Sequence, residues 1–299
     1  MVATRLGAAA KINLYLRVLG RRPDGFHEIE TVFHSVSLAD DVVVSSRQGD
    51  RVVVDMRFET PLGGHPPESE ENLVTIAARL LSAKASRPGH SGALVEVVKR
   101  IPVGGGLAGG SADAAAALVG LNELWGLGLG DDELMRVGAL IGSDVPFCLR
   151  GGTQLATARG ERLTPLVVGG ALWFVLAIDD EPVYARAVYE AWDESPTTEP
   201  AGAGAIVTAL EAGDLKRVGS LVHNDLEAAI LGIRPRLAGA VEALEGAGAL
   251  GACISGSGPT VYGLCLDKDH ACGIAAAVER LFSRVMVVSS SPWGVATFS

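Results

Sequence analysis

Basic residues and long apolar runs are both scarce in this chain of 299 residues. Lys and Arg number 25 against 35 Asp and Glu, which gives a formal charge of −10. A general nucleic-acid-binding protein needs a basic surface to displace counterions, so the charge argues against that class. The longest unbroken apolar run, at 171–178, is less than half of the ~20 residues that a membrane-spanning helix needs. We therefore expect neither a nucleic-acid nor a membrane partner, although backbone N–H groups can still hold a small anionic substrate.

Cysteine is scarce too, with four residues at positions 148, 253, 265 and 272. None of these cysteines has the C-x-x-C spacing of a zinc or redox site. The first ten residues contain one Arg and no apolar segment of the kind found in a secretory signal. We expect reduced thiols and a cytoplasmic location.

The chain has ample material for hydrophobic cores, since 48% of its residues are hydrophobic. Its length is typical of two domains, and we place the division at 1–160 and 161–299. Strand-like and helix-like patterns mix without strict alternation, which favours an α+β fold. We predict strands at 6–19, 29–38, 41–46, 51–58, 94–99, 171–178, 251–255, 260–266 and 284–289, helices at 72–86, 111–125, 131–141, 185–193, 203–212, 213–224, 235–247 and 271–282, and a surface loop at 60–70.

A glycine-rich segment is the most informative feature of the sequence. Five of the seven residues at 104–110 are glycine, between a predicted strand and a predicted helix. Such a backbone can curl with its N–H groups inward, and the helix adds the positive end of its dipole, so the segment predicts a polyphosphate site. It is not a Walker loop, because no Lys follows the last glycine. The candidate binding residues are Pro102, Val103, Gly104, Gly105, Gly106, Leu107, Ala108, Gly109, Gly110, Ser111 and Ala112, among which Ser111 can either cap the helix or offer its hydroxyl to a phosphate or to magnesium.

Three polar residues are candidates for catalysis. Lys11 lies on an otherwise apolar strand, where a buried ammonium needs a carboxylate or phosphate partner, and Asn13 shares its face. Asp144 stands at an abrupt turn, where a carboxylate could accept a hydroxyl proton. From the residues alone, structural roles stay open for all three. Lys11 could extend to solvent at a strand edge, Asn13 could be a hydrogen-bonded amide on a sheet, and Asp144 could cap a turn.

The glycine-rich segment resembles the ATP-binding loop of the superfamily of galactokinase, homoserine kinase, mevalonate kinase and phosphomevalonate kinase. The segments 9–14 (Ala-Ala-Lys-Ile-Asn-Leu) and 255–260 (Ser-Gly-Ser-Gly-Pro-Thr) resemble its other two motifs, in the same order. The resemblance implies an ATP-dependent kinase with two α+β domains, the first like ribosomal protein S5 domain 2 and the second ferredoxin-like, and a cleft between them. Lys11, Asn13 and Asp144 would be catalytic, and Mg²⁺ would enter mainly with ATP, with few protein ligands.

Three further segments, 22–29, 142–147 and 223–227, resemble superfamily members that phosphorylate the C2 hydroxyl of a cytidine diphosphate-linked methylerythritol in the non-mevalonate isoprenoid pathway. The resemblance implies that cytosine stacks on Phe26, where Tyr is usual, while His27 bonds its polar edge. Tyr189 would be the second aromatic, with Tyr184 as an alternative, because this chain has Tyr184-Ala185 where Ser-Thr is common.

The same resemblance gives expectations for two other segments. Residues 223–227 would be structural, with Asn224 and Asp225 capping or bracing the substrate side. The second glycine turn, of Ser255, Gly256, Ser257 and Gly258, would either pack behind the first loop or close on the substrate diphosphate, unless it is a simple strand-joining turn.

Two other functions remain open on the sequence. One is a kinase of the same superfamily that acts on homoserine or mevalonate. The other is a sensor that binds ATP and substrate without turnover, which loss of Lys11 or Asp144 would favour, although both are present. We expect a monomer or a weak homodimer.

Overall fold

The structure is a computed structural model that describes residues 3–59, 72–84, 92–198 and 201–298. The predicted loop at 60–70 lies outside these ranges. The strands are β1 (Ala3–Arg21), β2 (His27–Ser46), β3 (Val52–Phe58), β4 (Ala93–Lys99), β5 (Thr153–Ala158), β6 (Arg162–Pro165), β7 (Trp173–Ile178), β8 (His223–Asn224), β9 (Gly251–Ile254), β10 (Val261–Cys265), β11 (Arg284–Ser289) and β12 (Val295–Phe298). The helices are α1 (Leu73–Ser82), α2 (Gly109–Leu124), α3 (Asp131–Ile141), α4 (Val145–Arg150), α5 (Ala185–Glu194), α6 (Gly204–Ala212), α7 (Leu215–Gly219), α8 (Glu227–Ile233), α9 (Leu237–Gly246) and α10 (Lys268–Val278).

The first sheet is built on the long antiparallel pair β1 and β2. Within the described ranges its order is β12-β1-β2-β4-β3, with β5 and β6 continuing from β2 and with β8 beside β1. Helix α2 packs across β1 and β2, and its alanines are fully buried. Close packing also explains Gly120, because a Cβ atom there would lie 2.5 Å from Val44 Cγ2.

The second sheet has the order β11-β7-β10-β9, and all its neighbours are antiparallel. Counted along the chain, this is the order 4-1-3-2, with helices between the first and second strands and between the third and fourth. It is the arrangement of a βαββαβ ferredoxin-like unit. The predicted two-domain α+β fold is confirmed.

The predicted elements differ from the structure mainly where a strand pairs with residues that are distant in the sequence. Residues 29–46 form one strand rather than two, and the predicted helix at 213–224 is wrong beyond α7. Its last two residues form β8, because they pair in parallel with Tyr15 and Leu16 of β1. The sequence analysis also missed α4, β5, β6, α8 and β12.

Strands β8 and β12 come from the later half of the chain and complete the first sheet. The division at residue 160 stays a prediction. Three of the four cysteines are buried and all four are free thiols. No helix in the described part of the chain is both long and apolar enough to cross a membrane.

Candidate active site

A cavity of about 990 Å³ brings most of the predicted site residues together. Its wall contains parts of both glycine segments and side chains from β1, β2 and α5. The predicted site residues on this wall are Lys11, Asn13, Phe26, His27, Pro102, Val103, Gly104, Gly105, Gly106, Ala108, Gly109, Gly110, Ser111, Asp144, Tyr184, Tyr189, Gly256 and Ser257. Leu107 and Ala112 are instead fully buried in the core.

The first glycine loop leads from the end of β4 into α2. Gly104 and Gly106 have φ values of +68° and +73°, which curl the backbone in the way that glycine permits. Helix α2 begins at Gly109, two residues before the predicted start. Ser111 is therefore inside the helix rather than its cap, and no described side chain caps this helix end. The uncapped N-terminus suits an anion, since its N–H groups and dipole favour negative charge.

The second glycine turn packs behind the first loop. The Ser255 hydroxyl donates to the carbonyl oxygen of Gly106 at 3.0 Å, and Ser255 itself is fully buried. A Cβ atom on Gly106 would lie 2.2 Å from the Ser255 carbonyl oxygen, so only glycine allows this approach. Gly256 and Ser257 reach the cavity, whereas Ser255 and Gly258 support them from behind.

Lys11 and Asp144 face each other across the cavity floor. Lys11 Nζ lies 3.7 Å from Asp144 Oδ2 and donates to Asn13 Oδ1 at 2.7 Å. Lys11 is only 5% exposed, so it does not extend to solvent. Asp144 precedes α4, but its side chain makes no capping hydrogen bond, and its carboxylate is directed to the cavity. The geometry brings together an ammonium, a carboxylate and an amide, which is sufficient to orient and deprotonate a hydroxyl.

Aromatic rings form the opposite part of the cavity. The His27 ring stacks on Tyr189 with centroids 4.6 Å apart, and His27 Nε2 lies 2.8 Å from Asp193 Oδ1. Burial, and secondarily the charge of Asp144, raise the pKa of the Tyr189 phenol, which therefore stays neutral. Phe26 is half exposed, and the Arg159 guanidinium lies 4.8 Å from its ring centroid.

Tyr184 is also on the wall of this cavity but is 61% exposed. Tyr189 is the more enclosed of the two tyrosines and is the one in contact with His27. The arrangement therefore favours Tyr189 as the ring that a planar base would meet.

The segment at 223–227 braces the second glycine turn. Asn224 Nδ2 donates to the carbonyl oxygens of Ile254 at 2.9 Å and Gly256 at 2.7 Å. Asp225 Oδ2 accepts from the backbone N–H of Val18 at 2.7 Å. These bonds support a structural role for the segment.

Sequence reasoning missed a buried ionic network on the other side of the glycine loop. Lys99 Nζ lies 2.6 Å from Asp113 Oδ2 and also bonds the carboxylate of Asp40. A lysine directly before the loop and an aspartate in the following helix were visible in the sequence. Arg159 and Asp193 were missed as well, because their partners Phe26 and His27 are distant in sequence.

Comparisons with known proteins agree with this geometry. The family described as "GHMP kinases N terminal domain" matches residues 72–152, and "GHMP kinases C terminal" matches residues 206–284. A 4-diphosphocytidyl-2-C-methyl-D-erythritol kinase of Gloeobacter violaceus is 44% identical over 93% of this chain and 91% of its own length. One from a Nocardioides species is 41% identical over 95% of this chain and 96% of its own.

A solved structure agrees as well. The crystal structure of a 4-(cytidine 5'-diphospho)-2C-methyl-D-erythritol kinase superimposes with a TM-score of 0.77 at 32% identity, covering 96% of this chain and 99% of its own. The two domain models identify the GHMP kinases, and the relatives and the solved structure share one narrower name within them. The chain therefore belongs to the 4-diphosphocytidyl-2-C-methyl-D-erythritol kinase family of the GHMP kinases.

Proposed function

We propose that the protein transfers the γ-phosphoryl group of ATP to the C2 hydroxyl of 4-diphosphocytidyl-2-C-methyl-D-erythritol, a step on the non-mevalonate route to isoprenoid precursors. The observation that carries the proposal is the placement of Asp144 Oδ2 3.7 Å from Lys11 Nζ, in one cavity with the glycine loop and the His27–Tyr189 stack. The cavity thus offers a phosphate cradle, a base and an aromatic site for a nucleobase.

Each part has a role in the transfer. The N–H groups of the glycine loop and of the first turn of α2 hold the triphosphate. Asp144 accepts the proton of the C2 hydroxyl while that oxygen attacks the γ-phosphorus and the bond to the ADP oxygen breaks. Lys11 offsets the negative charge of the hydroxyl oxygen and the transferring group, and Asn13 holds the lysine in place.

The cytidine half of the substrate occupies the aromatic part of the cavity. The cytosine ring stacks on Phe26 and Tyr189, and His27 bonds its polar edge. Support comes from the Asp193 contact, which fixes the His27 ring in one orientation. Gly256 and Ser257 lie where they can approach the substrate diphosphate.

The residues present also fit Mg²⁺. The Ser111 hydroxyl and the Asp144 carboxylate both reach the cavity, and both are oxygen ligands of the type that Mg²⁺ prefers. When bound with ATP, the ion neutralises phosphate charge.

We further propose that the enzyme works in the cytoplasm as a monomer or weak homodimer. The buried free thiols of Cys148, Cys253 and Cys265 support a reducing compartment.

A coupled ADP-release assay tests the proposal with ATP, Mg²⁺ and 4-diphosphocytidyl-2-C-methyl-D-erythritol, with homoserine and mevalonate in parallel. We expect turnover on the cytidyl substrate alone, and a fall in kcat of about 10²-fold or more in Asp144→Asn. Turnover on homoserine or mevalonate instead would reassign the substrate. ATP binding without any turnover would favour a sensor, and full activity of Asp144→Asn would remove this residue as the base.

A further inference from the structure

Three charged side chains meet in the protein interior at the base of the glycine loop. Lys99 Nζ donates to Asp113 Oδ2 at 2.6 Å and to Asp40 Oδ2. None of the three side chains is more than 4% exposed. Lys99 is the last residue of β4, and Asp113 lies in the second turn of α2. The ion pair between them therefore joins the two ends of the loop.

Asp40 fixes the start of the loop in a second way. Its Oδ1 atom accepts the backbone N–H groups of Arg100 at 2.5 Å and Ile101 at 2.8 Å. Asp40 belongs to β2, a long central strand of the first sheet. The network thus joins both ends of the loop to a central strand of the first sheet.

The network also lies directly under the site where the loop would bind phosphates. Lys99 and Asp113 are both on the cavity wall. A Cβ atom on Gly109 would be 3.1 Å from Lys99 Nζ, so the ammonium lies against the first turn of α2. Any change in the Lys99–Asp113 distance would move the N–H groups of that turn relative to those of the loop.

The charge of the network is compatible with an anion above it. Burial, together with the charge of Asp40, raises the pKa of Asp113 to about 8 against the opposing effect of Lys99. This shift favours the neutral form of Asp113, so the network carries less negative charge than two fully ionised aspartates beside one lysine would give. Asp113 Oδ1 is buried and makes no hydrogen bond within the described ranges.

Stability alone is a weak reason for such a network. Replacing a buried ionic group with apolar side chains of similar volume is often neutral or stabilising, whereas removal of one partner is destabilising. A pair that only stabilised the fold would therefore be replaceable by two apolar residues without loss of ligand affinity.

We propose that Lys99 and Asp113 are positioning residues for the nucleotide, which act by fixing the spacing between the two ends of the glycine loop. This inference rests on the proposed function, because that proposal assigns ATP to the loop. Neither residue reacts: the pair holds the N–H groups of the loop and of α2 in the arrangement that a triphosphate requires.

The test compares Lys99→Met, Asp113→Asn and the combined variant Asp40→Asn/Lys99→Met/Asp113→Leu with the wild type; Asp40→Asn is included so that no buried carboxylate is left without its lysine. Lys216→Met, an exposed lysine on α7, is the matched control for loss of one charge. The measurements are the Kd of a non-hydrolysable ATP analogue by calorimetry, the KM of each substrate, kcat and Tm.

We expect the combined variant to remain folded, because it leaves no buried charge without a partner, and to bind the analogue about tenfold or more weakly. Its KM for ATP should rise in parallel, while the KM for the cytidyl substrate stays within about twofold and kcat falls by less than the KM for ATP rises. Lys216→Met should match the wild type.

A folded combined variant with wild-type affinity for the analogue would overturn the proposal, even if the single variants unfold. An equal rise in both KM values, accompanied by a lower Tm, would also overturn it, because that pattern indicates general destabilisation. Failure of the proposed function gives a different result, in which the wild type binds the analogue but does not turn over. The comparison of analogue affinities still decides the role of the pair in that case.

Discussion

The His27 imidazole lies on the ring of Tyr189, with the ring planes inclined by 25° and the centroids 4.6 Å apart. Trp192 meets the same imidazole edge-on at 5.7 Å, and Asp193 contacts its Nε2 atom at 2.8 Å. Strand β2 of the first sheet and helix α5, which follows strand β7 of the second sheet, are thereby joined at the cavity. The orientation of the histidine is fixed before any ligand binds, which reduces the ordering that binding requires.

This arrangement predicts which tyrosine matters for the cytidyl substrate. Tyr189→Ala should raise the KM for that substrate about tenfold or more, because stacking of a base on an aromatic ring contributes about 1–3 kcal/mol. Tyr184→Ala is the comparison, and we expect a smaller effect from this more exposed residue. The KM of each variant for the cytidyl substrate is measured by steady-state kinetics at saturating ATP. A larger effect of Tyr184→Ala would transfer the role to that residue.

Lys11→Met should lower kcat by about 10²-fold or more, because it removes the side-chain cation that the proposal sets against the developing negative charge. The KM for ATP should change little, since the phosphate cradle is made by the glycine loop. Single-turnover phosphoryl transfer is the measurement. Lys11→Arg should not restore the rate, because Lys11 is buried with its Nζ atom 2.7 Å from Asn13 Oδ1 and 3.7 Å from Asp144 Oδ2, and the longer, planar guanidinium does not fit the position of a compact ammonium. Wild-type turnover in Lys11→Met would contradict the proposed role.

Gly106→Ala should lower the free energy of unfolding by more than the cost of placing an alanine in the left-handed backbone conformation of Gly106. Left-handed backbone costs an alanine about 1–2 kcal/mol, and the clash with the Ser255 carbonyl adds an overpacking penalty of about 1–3 kcal/mol. Gly126→Ala is the matched control, because Gly126 has a φ of +59° with nothing within 4 Å of its Cβ position. Urea unfolding gives both free energies. Equal losses of unfolding free energy in the two variants would show that the glycine loop can move away from the Ser255 turn without cost.

His34 should make the protein less stable at acidic pH. Burial lowers its pKa from the ordinary value of 6.5 to about 4. Between these values the unfolded chain binds a proton that the folded chain does not, so stability present above pH 6.5 is lost as the pH falls toward 4. The loss from this group approaches about 3 kcal/mol. In His34→Gln, the unfolding free energy should fall less steeply over that range, and parallel pH profiles of variant and wild type would exclude the effect.

Local patterns were sufficient to predict the elements that carry the chemistry. The strand with Lys11 alternates apolar and polar residues at 12–18, and the helix after the glycine loop is rich in alanine, the strongest helix former, although the structure buries both elements on nearly every side. Lys11 was identifiable because a lysine inside an apolar strand requires a partner, whereas Asp144 was singled out by its abrupt turn and by the resemblance of residues 142–147 to the family. The structure places them 3.7 Å apart.

Distant pairing limited the rest of the prediction. Strand β8 has two residues and β12 has four, too few to show a period, and each forms only because β1 offers a free edge. The Arg159–Phe26 contact and the Asp40–Lys99 bond join residues that share no local pattern. Their positions follow from the sheet order, which the sequence does not specify.

The pairing of β12 with β1 has a consequence for the order in which the protein is synthesised. β1, which carries Lys11, is synthesised before β12, which pairs with Arg5–Ala8 of β1 and follows the whole second sheet. Until then the nascent chain presents an unpaired strand edge, the kind of edge that recruits strands from other chains. An mRNA truncated shortly before the codons for β12 would yield a chain that has every predicted catalytic residue but leaves the edge of β1 at Arg5–Ala8 unpaired. Such a chain would be removed by aggregation or proteolysis rather than by loss of its chemistry.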